Sequence, residues 1–117
     1  MKILMTVQGD HVAPRFDLTT ELVIARAEGG ELQAPPRSII MDKSSPEALC
    51  SMIMEENITA VVCGGIEDRY YQFLSWKKIA IYDNVIGLHL LALQEVLAGR
   101  LQAGQLFSDG RRRERHP

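Results

Sequence analysis

The stretch TAVVCGGI, which runs from Thr59 to Ile66, decides how the chain folds. Its apolar residues show no alternation with polar ones, and the run is broken at once by Gly64 and Gly65. A short apolar run of this kind is typical of a strand buried on both faces in a parallel sheet. A helical pattern follows the glycines, so the stretch predicts a strand, a tight turn and a helix of an α/β domain.

Helix signals stand on both sides of this stretch. Ser45 can cap a helix whose first position is Pro46 and which ends at Asn57. A second helix is predicted from Glu67 to Trp76 and a third from Val85 to Leu101. The residues expected to face the core are Leu49, Met52 and Ile53, then Tyr70, Phe73 and Leu74, and finally Ile86, Leu90, Leu93 and Leu97.

The remaining strands are predicted at Lys2–Gln8, Glu21–Ala27, Arg37–Met41 and Lys78–Tyr82. A glycine pair after the second of these predicts a hairpin. The strand at 37–41 follows two prolines, so we expect it at a sheet edge. The order β-β-β-α-β-α-β-α predicts a three-layer α/β/α domain around a five-stranded mixed sheet.

Composition narrows the functional classes. The chain has 117 residues, of which 46% are apolar and 24% charged, so a single globular domain is expected. No apolar run approaches the 18 to 20 residues or so that a membrane helix needs, and the N-terminal apolar run is too short for a signal peptide. Cys50 and Cys63 form no disulfide framework. We therefore expect a cytoplasmic protein that does not enter a membrane.

Charge is divided unevenly along the chain. Residues 1–107 carry nine basic and thirteen acidic side chains, whereas residues 108–117 carry four arginines and two acids. We predict one folded domain over residues 1–104 and a disordered basic tail over residues 105–117. Nucleic acid binding is not expected outside this tail, which could bind RNA or remain a solvated terminus.

Ligands of open α/β sheets bind beyond the carboxyl ends of the parallel strands. Three loops converge there: residues 9–17, 63–66 and 82–85. The thiol of Cys63 could bind a soft metal, or it could simply fill space as a small buried side chain. His11 could be a metal ligand or a solvated loop residue, and Gly64 and Gly65 could let the backbone approach a ligand.

Two other groups of residues are candidate functional sites. Asp10, Asp17 and Asp83 could form a carboxylate cluster that holds Mg²⁺ for nuclease chemistry. The aromatic and basic residues at the end of the second helix, including Trp76, could stack nucleic acid bases. Core packing with a solvated basic helix end is the alternative for that group.

Three segments together resemble the dinitrogenase iron–molybdenum cofactor biosynthesis family: Val12–Asp17, Val61–Ile66 and Ala98–Leu101. The resemblance covers roughly residues 1–104. It implies a ribonuclease H-like motif with sheet order 3-2-1-4-5, in which strand 2 is antiparallel. It also implies a small non-enzymatic domain that binds or carries iron–sulfur or iron–molybdenum cluster precursors, with a cofactor-assembly or nitrogenase-like partner or a second copy of itself.

The chain departs from this family at the first loop. Many members carry His-Phe-Gly where this chain has Arg15, Phe16 and Asp17, and arginine has no lone pair for a metal. A protein-interaction or regulatory module that has lost the cluster site is therefore the alternative function. The residues expected to bind the cofactor are Arg15, Phe16, Cys63, Gly64, Gly65, Asp83 and Asn84, and those expected to bind metal are Cys63 and His11.

Overall fold

The structure is a computed structural model that describes residues 1–107. The strands are β1 (Lys2–Gln8), β2 (His11–Val12), β3 (Glu21–Glu28), β4 (Glu31–Leu32), β5 (Arg37–Ile40), β6 (Ala60–Val62), β7 (Ala80–Tyr82), β8 (Ile86–Gly87) and β9 (Leu106–Phe107). The helices are α1 (Pro46–Glu55), α2 (Asp68–Trp76) and α3 (His89–Leu97), and a short 3-10 helix spans Phe16–Leu18. The predicted mixed α/β class is confirmed.

Strand β1 lies at the centre of the main sheet. It pairs antiparallel with β3 and parallel with β6, and β6 pairs parallel with β7. On the other side, β5 pairs antiparallel with β3 and forms an edge. The short strands β2 and β4 add to this sheet, so it has seven strands among the described residues rather than the predicted five.

Helices cover both faces of the sheet. Alternate residues of β1 point to opposite faces, so that Met5 packs in a cluster with Leu93 of α3 while Leu4 packs with Ile53 of α1 and Leu74 of α2. The strands β1 and β6 are buried on both faces, which explains why their sequences are apolar throughout.

Two local signals in the sequence act as predicted. The backbone N–H of Ala48 donates to the Oγ of Ser45 at 3.1 Å, and Pro46 occupies the first turn of α1. Gly29 and Gly30 both have positive φ, 61° and 83°, and close a tight turn between β3 and β4. These features fix the start of α1 and the end of β3.

The third helix begins later than predicted. Residues 86–87 form β8, which pairs in parallel with β9, and α3 begins only at His89. As a result, Ile86 and Leu90 are exposed, and the buried face of α3 consists of Ala92, Leu93 and Val96. The apolar spacing from Ile86 onward imitates a helix, but parallel pairing with β9 prevails over it.

Two other predictions need correction. Phe73 of α2 is 36% exposed instead of facing the core, where Tyr70 and Leu74 lie. Ordered structure also continues past Gly104, because Phe107 of β9 is part of the core. Residues 108–117, most of the predicted basic tail, lie outside the described residues, so their disorder stays a prediction. Within residues 1–107, each helix is too short or too polar to cross a membrane.

Candidate functional site

The first loop is attached directly to the glycine turn that follows β6. The N–H of Gly65 donates to the carbonyl of Pro14 at 2.8 Å, and the N–H of Phe16 donates to the carbonyl of Gly65 at the same distance. These two bonds form a short parallel bridge between Arg15 and Gly65. The bridge fixes the path of the first loop across the carboxyl ends of β1 and β6.

Gly64 allows this close approach. A side-chain β-carbon at Gly64 would overlap the carbonyl groups of Ala13 and Pro14. At Gly65 the nearest atom to such a carbon would be the Pro14 carbonyl oxygen at 3.6 Å, which is ordinary contact. The two glycines therefore differ: Gly64 serves backbone packing, and Gly65 faces space.

The third loop joins the same junction. The N–H of Asn84 donates to the carbonyl of Gly64 at 2.9 Å, and the N–H of Val85 donates to the carbonyl of Cys63 at 3.0 Å. Asn84 has a φ of 55°, a left-handed conformation that asparagine tolerates better than most residues. The predicted convergence of three loops is therefore present in the structure.

Between these loops lies an open cavity of about 900 Å³, which we call the loop pocket. Its lining consists of Gln8, His11, Val12, Pro14, Arg15, Asp17, Gly64, Gly65, Ile66, Glu67, Asn84, Val85, Ile86 and Gly87. Five of the predicted site residues are among them: His11, Arg15, Gly64, Gly65 and Asn84. Gly87 and Ile86 of β8 are not among the predicted site residues, because the sequence predicts a helix over these positions.

Arg15 supplies the cation that lines the loop pocket. Its guanidinium donates to both carboxylate oxygens of Asp17, with Nη2 at 2.9 Å and Nε at 3.3 Å. The Arg15 side chain is 56% exposed, so the pair is worth little to folding. Glu67 adds a second carboxylate to the pocket lining. An anionic ligand would therefore compete with Asp17 for the guanidinium.

His11 is the one imidazole in the pocket lining described here. It is exposed, and its backbone belongs to β2 and forms an antiparallel bridge with Leu88. The backbone is thus held on two sides while the side chain meets solvent. A neutral imidazole in this position can offer one metal bond.

Cys63 does not reach the loop pocket. Its side chain is completely buried and packs in the apolar cluster that contains Leu4 and Leu74. Burial raises the pKa of the Cys63 thiol to about 12, and the nearby charge of Asp83 acts in the same direction. The thiolate, which is the form that binds metal, is therefore strongly disfavoured.

Phe16 and Asp83 also lie outside the pocket lining. Phe16 is completely buried and packs near the ring of Tyr70, with the ring centroids 6.1 Å apart. Asp83 accepts a hydrogen bond from the side chain of Asn84 at 3.2 Å, and its carbonyl accepts one from the N–H of Gly104. Phe16 and Asp83 therefore hold the surrounding loops in place through packing and hydrogen bonds and do not line the pocket.

The carboxylate cluster predicted for a nuclease is not assembled. Asp17 lines the loop pocket and is paired with Arg15, whereas Asp10 and Asp83 are absent from the lining. Across residues 1–107, His, Cys, Asp and Glu side chains form no group of three or more that could hold a metal ion. The three acids therefore do not converge on the loop pocket, although each follows the end of a strand in the sequence.

No protein-family model matches this chain, and no curated protein matches it in sequence. Solved structures do resemble it. The protein PH0822 superposes with a TM-score of 0.78 at 17% identity, over 98% of this chain and 100% of that chain.

Two further proteins share the fold. A candidate dinitrogenase, MJ0327 of Methanocaldococcus jannaschii, has a TM-score of 0.70; its crystal structure is 24% identical over 87% of this chain and 92% of that chain. The solution structure of the same protein is 25% identical over 88% of this chain. A candidate NifB protein of Thermotoga (TM1290), from the DUF35 family, has a TM-score of 0.66 at 13% identity, over 93% of this chain and 98% of that chain. The chain therefore shares its fold with PH0822, MJ0327 and TM1290.

Proposed function

We propose that this chain is a small non-enzymatic accessory domain of a nitrogenase-related family, that of dinitrogenase iron–molybdenum cofactor biosynthesis. Its cargo would be an iron–sulfur or iron–molybdenum cluster precursor, bound transiently in the loop pocket. The observation that carries the proposal is the joining of three loops into one pocket, on the fold of MJ0327 and TM1290. The proposal includes the ribonuclease H-like layout, which the order β5-β3-β1-β6-β7 with an antiparallel β3 supports.

The pocket suits cargo that brings most of its own ligands. A cluster carries bound sulfide, so a carrier needs to add few donors, whereas a resident cluster is usually held by several cysteines or histidines. His11 offers one metal bond, and Arg15 offers a cation for sulfide or carboxylate groups. A second protein, either an assembly partner or another copy of this chain, would complete the ligand set.

Electrostatics makes this binding weak and reversible. The positive charge of Arg15 is offset by Asp17, and Glu67 adds negative charge at the pocket wall. Anionic cargo that takes the Nε and Nη2 side of the guanidinium exchanges places with the Asp17 carboxylate. Such an exchange is consistent with handing cargo on rather than storing it. Cys50 and Cys63 are free thiols, which fits the proposed cytoplasmic location.

The direct test is anaerobic reconstitution with ferrous iron and sulfide, followed by analysis of iron bound per chain. We expect wild type to bind iron and His11→Ala and Arg15→Ala to bind clearly less. Cys63→Ala is the matched control and should load like wild type, since its thiol is buried outside the pocket. Absence of iron in the wild type, or loss of iron only in Cys63→Ala, would contradict the proposal.

The alternative function is a protein-interaction or regulatory module of the same fold without cluster cargo. Two observations favour it: Cys63 is buried, and Arg15 stands where many members of the resembled family have histidine. Metal-free protein used as bait under anaerobic conditions distinguishes the two. If the metal-free bait recovers one defined partner in stoichiometric amount, the interaction module is supported. If the partner is recovered only when the bait has been loaded with iron, the cluster carrier is supported.

A further inference from the structure

We propose that a second surface, between α1 and α2, binds a basic amphipathic helix of a partner protein. This surface is a cavity of about 490 Å³. We call it the α1–α2 groove, and its lining consists of Glu47, Cys50, Ser51, Met54, Glu55, Tyr70 and Phe73. It shares no lining residue with the loop pocket, so it is independent of the proposed cargo site.

The floor of the α1–α2 groove is apolar and aromatic. Cys50 and Tyr70 are buried beneath it, while Met54 is half-buried and Phe73 is 36% exposed. One turn further along α2, Trp76 is 74% exposed. Residues three apart on a helix share one side, so Phe73 and Trp76 form a continuous aromatic edge. Exposed aromatic residues beside an apolar groove are typical anchors of protein interfaces.

The α1 wall of the groove is acidic. Glu47, Ser51 and Glu55 follow one another at intervals of four, so they occupy one side of the helix. The hydroxyl of Tyr70 donates to Glu47 at 2.8 Å and holds the pKa of that carboxyl below its usual value. Among the groove's lining residues in the described chain there is no lysine, arginine or histidine. A basic flank on the bound helix would therefore meet two carboxylates.

The charged residues on α2 determine which side of the bound helix carries its basic residues. The Arg69 guanidinium lies 4.7 Å from the ring centre of Tyr70, and the Lys77 ammonium lies 4.7 Å from that of Trp76. These cations would repel a basic residue placed over α2. Glu47 and Glu55 are eight residues apart, about 12 Å along a helix. The partner helix should therefore carry basic residues separated by two turns, facing α1.

No described helix of a second copy offers both a free apolar stripe and a basic flank. The sequences of α1 and α3 contain no lysine or arginine. Helix α2 has Arg69, and Lys77 caps it eight residues later, but its apolar residues Tyr70 and Leu74 are buried within their own copy. The occupant is therefore a different protein, bound by its apolar stripe and its basic flank in the helix-in-groove mode.

The test uses a synthetic helical peptide with leucines at i, i+3, i+4 and i+7 and lysines two turns apart on one flank. Its control has glutamate in place of every lysine. Trp76 is the only tryptophan of the chain, so its fluorescence reports binding directly. We expect saturable binding of the lysine peptide and binding at least about tenfold weaker for the glutamate peptide.

Variants of exposed residues locate the binding site while circular dichroism confirms that each stays folded. Phe73→Ala should weaken binding about tenfold. Glu55→Lys should weaken binding of the lysine peptide about fivefold and strengthen that of the glutamate peptide, whereas the matched control Glu28→Lys, on β3, should change neither. Equal affinity for both peptides, no effect of Phe73→Ala, no binding at all, or a sedimentation shift showing that a second copy fills the groove would overturn the proposal.

Discussion

The inner wall and the outer rim of the loop pocket each depend on a glycine that lets two backbone segments pack closely, but the side chains they present differ. The inner wall is the first loop packed on Gly64, and the outer rim is β8 packed on β9 at Gly87. At each glycine a side-chain β-carbon would overlap backbone, that of Ala13 and Pro14 in one case and that of Phe107 in the other. Close backbone approach through glycine therefore closes the pocket on both sides.

The two sides differ in what they offer to a ligand. The inner wall carries the Arg15–Asp17 ion pair, and His11 lies on β2, whose backbone bridges to Leu88 next to the rim. The outer rim carries aliphatic side chains, since Ile86 and its register partner Leu106 are 60% and 54% exposed. We infer that the inner wall supplies the polar contacts to a ligand and that the rim supplies the apolar contacts. Substitutions at the glycines, the buried thiols and Arg15 test this division.

Gly87→Ala should be the most damaging substitution. Gly87 has a φ of 111°, and the new methyl group would collide with the Phe107 carbonyl, so we expect a loss of about 3 kcal/mol or more in the free energy of unfolding. Urea denaturation measures it. Gly104→Ala is the control: its φ is 80° but the space around it is open, so the loss should be about 1 kcal/mol. Equal losses would show that the rim is not closed at Gly87.

Gly64→Ala tests the inner wall in the same way. The clash with the first loop should cost about 2 kcal/mol, because the overlap with the Ala13 and Pro14 carbonyls is shallower than the overlap at Gly87 and Gly64 has no positive φ. Gly65→Ala, its neighbour, should cost less than about 1 kcal/mol, since it meets only ordinary contacts. Both values come from denaturant unfolding. A larger loss for Gly65→Ala than for Gly64→Ala would reverse the roles assigned to the two glycines.

The buried thiols give a smaller effect that depends on pH. Burial raises the pKa of Cys50 to about 11 and that of Cys63 to about 12. Above pH 9 the unfolded chain releases these protons while the folded chain retains them, so stability falls as pH rises toward 11. The slope is at most about 1.4 kcal/mol per pH unit for each thiol. Denaturation of Cys63→Ala between pH 8 and 10.5 should show a shallower decline, and an unchanged decline would place that thiol in contact with solvent.

Arg15→Ala should have the smallest effect on folding. Its ion pair with Asp17 is exposed, so we expect a change of less than about 1 kcal/mol in the free energy of unfolding. Binding of an anion such as tetrathiomolybdate should nevertheless weaken about tenfold, because the pocket lining described here contains no other lysine or arginine. Isothermal titration measures this, with Arg26→Ala on β3 as control. Equal binding by both variants would remove the inner wall from ligand recognition.

The sequence predicts the inner wall well and the outer rim poorly. Short-range sequence patterns determine the apolar strands β1 and β6, the turn at Gly64 and the cap at Ser45. Such patterns can be recognised without knowledge of the tertiary structure. Strand β8 is only two residues long, and its partner lies twenty residues later. Its apolar spacing also fits a helix, so only tertiary pairing could reveal it. Cys63 shows the same limit: its position at a strand end is visible, but which way its side chain points depends on the register of β6.

The most direct test of the central claim is a ¹H–¹⁵N NMR titration of the isotope-labelled chain with tetrathiomolybdate, a compact anionic metal sulfide. We predict shift changes concentrated at His11, Arg15, Gly65 and Asn84, with those of α1 and α2 unchanged. Changes confined to the α1–α2 groove, or spread evenly over the basic residues, would contradict the assignment of the loop pocket as the binding site.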